Sequence, residues 1–186
     1  FYRLPRDISI GDIGVTVDED ILASDGDNNI VAHRYHDQFP DMDSLKKLHD
    51  PEITVDDDGT ARKKEYLEHM FGDLMPVKLV GATGAGFYMP WDNLSMWRGV
   101  EPIFMDLVDN PDLLHGFMIR FTDIRLRQLD RMERMGLLDA SAIMLHCTAG
   151  LTDDLPPVSG RVTRSNLWGR GTAQIFATVS PAMHDE

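Results

Sequence analysis

The chain has 186 residues, 31 of them acidic and 18 basic, for a net charge of −13. That balance argues against nucleic acid or an anionic membrane as partner, because phosphate binding depends on clustered Lys and Arg. Its one cysteine excludes an internal disulfide framework, and no apolar run approaches the ~20 residues of a membrane span. The length suffices for one ordinary core, and no signal-peptide pattern opens the chain at Phe1. The expectation is a cytoplasmic, acidic piece of a longer protein.

Residues 1–60 read as a strand- and turn-rich lead-in. Ile8-Ser9-Ile10 and Ile13 to Val17 are β-branched, and the turn Asp25-Gly26-Asp27-Asn28-Asn29 precedes Ile30-Val31-Ala32, which predicts a strand pair with an acidic connection. The acidic run from Asp18 to Asp27 does not follow the calcium-loop order, since Gly26 falls between two aspartates, so it reads as a solvated turn. Ser44 to Leu48 predicts a short helix ending before Pro51, and Thr54 to Thr60 a polar connection. Residues 61–186 read as βα units. Ala61 to Phe71 is a helix with Tyr66, Leu67, Met70 and Phe71 on or near one face.

Val77 to Val80 predicts a strand that ends in GATGAGF. These glycines match neither the dinucleotide nor the P-loop spacing, so Gly84 and Gly86 are expected to turn the backbone sharply, beside a ligand. Asn110-Pro111-Asp112 combines an N-cap, a first-turn proline and an early acid, and opens a helix over 111–135. Leu113, Leu114, Phe117, Met118, Phe121, Ile124, Leu129 and Met132 form its apolar stripe, and Gly136 terminates it. Asp123/Arg127 and Asp130/Arg134 are i,i+4 pairs, and Arg120, Arg125, Arg127, Arg131 and Arg134 read as a solvated face. A strand over 142–146 follows, and Ser180-Pro181 starts another helix.

Strand, long helix and strand imply a right-handed crossover between parallel strands, and such folds hold ligands beyond the carboxyl ends of the strands. Both GATGAGF and HCTAGLTDD occupy that edge. Adjacent strand residues face opposite sides, so if the apolar side packs on helices His146 points into the site and Cys147 joins it only where the strand breaks at Thr148-Ala149-Gly150. The alternatives are a hydrogen-bonded strand-end His146 and a buried, small apolar Cys147. Asp153 is placed to orient the histidine or bind a substrate amine, while Asp154 reads as a cap. Asp92 either hydrogen-bonds a ligand at the mouth or caps the turn over 93–96. Arg98 either clamps a carboxylate or pairs with Glu101. Trp97 and Trp168 read as packing residues, and His33, His36, His49, His69, His115 and His184 have no mutual ligand spacing.

The segments WDNLSMWRGVEPIFMDLVDNPDLLHGFMIRFTD (91–123), MGLLD (135–139), LTDDLP (151–156) and AQIFATVSPAMHDE (173–186) resemble the uroporphyrinogen decarboxylase superfamily, in particular its decarboxylase-like branch. DIGVTVDEDILASD (12–25) is also similar. The resemblance implies a (β/α)8 barrel, present here as a middle portion with parallel strands and a strand-rich lead-in. It implies two chemistries. One is methyl transfer from a corrinoid, carried by a partner protein, to a thiol or similar acceptor activated by zinc. The other is cofactor-free decarboxylation of the acetate side chains of uroporphyrinogen, a tetrapyrrole. For the first, His146 and Cys147 are the metal ligands. The family's zinc pattern has a residue between His and Cys and a later Cys, whereas here the two are adjacent and no second Cys exists. Catalytic candidates are His146, Asp92 and Asp153, and ligand-binding candidates are Gly84, Gly86 and Arg98. A third reading is a non-catalytic module that binds a corrinoid protein. An incomplete barrel leaves open sheet edges, which the remaining chain or a second copy is expected to cover.

Overall fold

A computed structural model describes residues 1–22, 32–82, 85, 87–141, 154–171 and 176–185. The chain is α/β. Its elements are β1 (Tyr2–Pro5), β2 (Asp7–Ile10), β3 (Glu19–Leu22), β4 (Ala32–Tyr35), β5 (Ile53–Asp56), α1 (Asp57–Phe71), β6 (Val77–Val80), α2 (Pro90–Arg98), α3 (Val100–Asp109), α4 (Pro111–Arg134) and α5 (Pro181–Asp185). The strands pair two by two, and no closed sheet forms among the described residues. No helix among them is long and apolar enough to cross a membrane. The chain divides into two compact units, Phe1–Gly11, Pro51–Phe87 and Leu126–Arg170 in one, and Asp12–Asp50, Tyr88–Arg125 and Gly171–Glu186 in the other.

In the first unit β1 runs parallel to β6, with Leu4 opposite Leu79. An isolated parallel bridge joins Ala82 to Leu138 just beyond β6. The predicted strand at 77–80 is therefore present and its neighbour on that side is reached at Leu138. The predicted strand over 142–146 lies outside the described residues. Ile8 and Ile10 do lie on a strand, but β2 pairs antiparallel with β5 and not with residues 13–17, which form no strand. The segment 54–60, expected to be a polar connection, holds β5 and the first turn of α1. Its aspartates serve the helix start: the Asp56 carboxylate accepts from the Gly59 N–H at 2.7 Å, satisfying a donor that the first turn would leave open. The backbone N–H of Asp7 donates to the Thr60 hydroxyl at 2.9 Å, which ties that helix start to β2.

On α1 the expected apolar face is only half used, since Leu67 and Phe71 are half-buried while Tyr66 and Met70 are exposed. The core of this unit is Ile53, Met132, Leu137 and Leu138. Gly136 has φ +70°. The Gly136 N–H donates to Glu133 O at 3.0 Å and the Leu137 N–H to Met132 O at 2.9 Å, a Schellman termination that closes α4 where the sequence places its end. The Arg164 backbone N–H and then its guanidinium bond Glu133, holding that carboxyl below the usual range.

In the second unit, β3 and β4 form an antiparallel pair. A strand pair is expected in this region, but β3 occupies residues 19–22, inside the run that reads as a solvated turn, and not residues 13–17, while β4 begins at Ala32. Phe39, Trp97, Phe117 and Phe121 supply the unit's aromatic core, with Phe117 and Phe121 stacked at 5.4 Å between ring centroids. Leu113, Leu114, Phe117, Phe121 and Ile124 are buried, so the α4 stripe is the core face expected of it. The arginines of α4 are more than a solvated face. Arg120 donates to the carbonyls of Lys46 (3.3 Å) and Leu48 (3.0 Å), the open end of the 3₁₀ turn Met42–Lys47. In the first unit Arg131 donates to Pro51 O at 3.0 Å. The helices α2 and α3 replace what reads in sequence as a single turn over 93–96. Gly99, at φ +90°, separates them.

Candidate functional site

The carboxyl edge of the parallel strands is built by close backbone approach. The Ala82 N–H donates to Leu137 O at 2.6 Å. A side chain at Gly81 would put its Cβ 2.3 Å from Leu137 O and 2.6 Å from Leu138 O, so the approach requires glycine there. Because the bridge is parallel, the chain leaves Ala82 and Leu138 in the same direction. His146, Cys147, Asp153, Gly84 and Gly86 follow those exits and lie outside the described residues.

At this edge stands a polar group that the sequence did not single out. The Arg3 guanidinium on β1 bonds the Asp139 carboxylate and the Ser141 hydroxyl. The Ser141 backbone N–H donates to Asp139 Oδ1 at 2.9 Å, and its hydroxyl bonds the same oxygen. The Asp139 carboxylate is nearly buried, 10% exposed, whereas the Arg3 side chain is 40% exposed. The charge-assisted bond fixes an arginine whose side chain stays partly exposed at this edge. No local pattern reveals it, because Arg3 and Asp139 are 136 residues apart.

Asp92 and Arg98 lie in the second unit. Asp92 is half-buried in the first turn of α2, which begins at Pro90 with Met89 as N-cap. It is therefore not the cap of a turn over 93–96; its charge instead faces the positive end of the helix dipole. Arg98 requires a fuller correction. Neither a substrate carboxylate nor Glu101 is its partner. Its Nε and Nη2 donate to Asp106 at 2.6 and 3.0 Å, and Nη1 donates to Asp37 at 2.8 Å and to the Phe39 carbonyl. Burial works against the Arg98 charge, but Asp106 and Asp37 outweigh it and hold its pKa above the ordinary value. With its donors turned to the chain's own acceptors, Arg98 is a packing and positioning group.

His33, His36, His49 and His184 bond carboxylates or carbonyls. His33 meets Glu19 at 2.8 Å, and His36 lies between Asp18 (3.1 Å) and Asp20 (3.0 Å). Among the described residues no group of three or more His, Cys, Asp or Glu could hold a metal ion. Zinc takes four donors in tetrahedral array, and the single Cys of the chain with its neighbouring His146 supplies two. The donor set of these residues alone does not complete a zinc site. No family model, curated protein or solved structure matches the chain.

Proposed function

We propose that the chain is part of a (β/α)8 barrel enzyme of the uroporphyrinogen decarboxylase type, and that it transfers a methyl group from a corrinoid to a thiol or similar acceptor. One observation carries this reading: β1 runs parallel to β6, and a parallel bridge joins Ala82, just beyond β6, to Leu138. Parallel neighbours of this kind are what a barrel is built from, and in this reading the segment with His146, Cys147 and Asp153 belongs to the carboxyl edge where barrels hold substrates. In this reading His146 takes the proton of the acceptor thiol, and Asp153 fixes the imidazole so that the thiolate forms beside the methyl donor. A resident zinc would supply Lewis acidity toward the same thiol. The two donors at His146 and Cys147 leave that site incomplete, so no step is drawn through it.

Methyl transfer from methylcobalamin to a small thiol tests the reading, with His146→Ala expected to lower the rate by about a hundredfold or more. Absence of turnover by the intact protein, or an unchanged rate in the variant, would overturn it. Zinc analysis of the same preparation separates the two versions, since an active metal-free enzyme rules out the metal.

The Arg3–Asp139–Ser141 group favours a second reading, cofactor-free decarboxylation. A partly exposed arginine side chain, already held by Asp139, suits a substrate carboxylate. Turnover of uroporphyrinogen without metal, weakened by Arg3→Lys, is its expected signature; no turnover removes it.

A further inference from the structure

We propose that the second unit carries a ligand site of its own, a cleft that takes a flat nitrogen heterocycle, neutral or cationic, bearing N–H donors on one edge. The cleft measures about 700 Å³, within the usual range of small-molecule sites, and lies wholly inside that unit. None of its lining residues is among those of the proposed methyl transfer.

Three features define the ligand. The first is a fixed aromatic wall. Trp91 sits in the first turn of α2, with its ring 4.8 Å from Phe176 and edge-on to His184 at 6.4 Å, yet it stays partly open to the cleft. A ring already held in place binds a planar partner with little ordering cost. The second is a soft, apolar lining from Met118 on α4 and Met183 on α5, whose thioethers conform to aromatic faces.

The third is the polar rim of His115, His184 and Asp185. The Nε2 of His184 lies 3.2 Å from the Phe176 carbonyl, an acceptor only, so that nitrogen donates within the chain. Asp185 is an acceptor. A carboxylate in the lining calls for a ligand with N–H or NH2 donors. Asp185 and the net charge of −13 together disfavour an anion.

Proflavine, a flat cationic heterocycle with two amino groups, is the probe, and pyrene sulfonate is a flat anion of similar size. Titration of the intact protein, followed by tryptophan emission, should give saturable one-to-one binding of proflavine. Pyrene sulfonate should bind at least about tenfold more weakly. Met183→Trp, which fills the cleft, and Asp185→Asn, which removes the rim charge, should each weaken proflavine by about tenfold, with unchanged far-ultraviolet circular dichroism. Unsaturable binding, equal affinity for the anion, or indifference to both substitutions would overturn the proposal. If Met183→Trp does not fold, Asp185→Asn, at an exposed position, decides alone.

Discussion

Arg98 shows what a single buried charge requires of its surroundings. It is 8% exposed and Asp106 6%, so each would be costly to hold without the other. Asp106→Ala removes two of the donors' partners and leaves the guanidinium with Asp37 and a carbonyl. The expected loss is about 3 kcal/mol in urea unfolding, typical of one buried charge stranded by its partner. The double variant Arg98→Met/Asp106→Leu removes both charges and should recover most of that loss; a double variant as unstable as Asp106→Ala would show that the pair itself stabilises the unit. A second residue responds to pH. The hydrogen bond from the His36 ring to Asp20, then the charges of Asp18 and Asp20, raise the His36 pKa above 6.5. A raised folded-state pKa means the stabilisation is complete below the unfolded value and is lost as pH rises through the folded one. The hairpin β3–β4 should therefore be firmer near pH ~6 than near pH ~8, and His36→Gln should flatten that difference. Proton NMR titration of His36 checks the sign directly: a midpoint at or below 6.5 would contradict it.

At the scale of elements, two glycines do different work and should fail differently. Gly136 is needed for its positive φ alone, since an added Cβ would meet nothing closer than Arg161 Cδ at 3.6 Å. Gly136→Ala should therefore cost about 1 kcal/mol, the price of a left-handed residue. At Gly81 an added Cβ collides with the carbonyls of Leu137 and Leu138, both backbone. Gly81→Ala must push the 137–138 segment off β6, and should cost more than Gly136→Ala in thermal unfolding and faster amide exchange at Ala82; equal costs would mean that the edge yields easily. These elements also show what the sequence makes legible. β6 and the α4 stripe are local patterns, an apolar run bounded by Pro76 and Gly81 and a period that repeats over six turns, and both are where the pattern puts them. The pairing of β2 with β5 is not local: residues 12–50 intervene, and Ile8-Ser9-Ile10 carries no information about which strand it will meet. The helices α2 and α3 are short and are separated by Gly99, which hides them in the sequence. At the site, Asp92 and Arg98 were recognised as polar groups in a structured place, but the partners of Arg98, 8 and 61 residues away, decide its role, and spacing cannot supply them.

At the scale of the molecule, opposing surface terms set its behaviour in solution. Each described sheet has two strands, so each leaves unpaired strand edges, and two-stranded sheets are marginal without cover. Large apolar side chains are also exposed in both units, Leu74 at 75% and Tyr66 at 63% in one, Val108 at 73% and Ile119 at 66% in the other. Both features favour association of copies. Against them stands the net charge of −13, which makes copies repel one another. The balance depends on screening, because raising ionic strength from about 0.01 to about 1 M shortens the Debye length from about 30 to about 3 Å, while apolar attraction is not screened. The chain should therefore sediment as a smaller species at low salt and associate as salt rises. Bringing the pH down toward the isoelectric point near 4.8 should act in the same direction, by removing the charge rather than screening it. Tyr66→Lys/Leu74→Lys takes away two of the exposed side chains on the α1 side of the first unit, and should shift the onset of association to higher salt. Analytical ultracentrifugation across that range measures it. A sedimentation coefficient constant in salt would mean that the exposed groups are too dispersed to make a contact, and an onset unmoved by the double substitution would assign the contact to the second unit or to the strand edges.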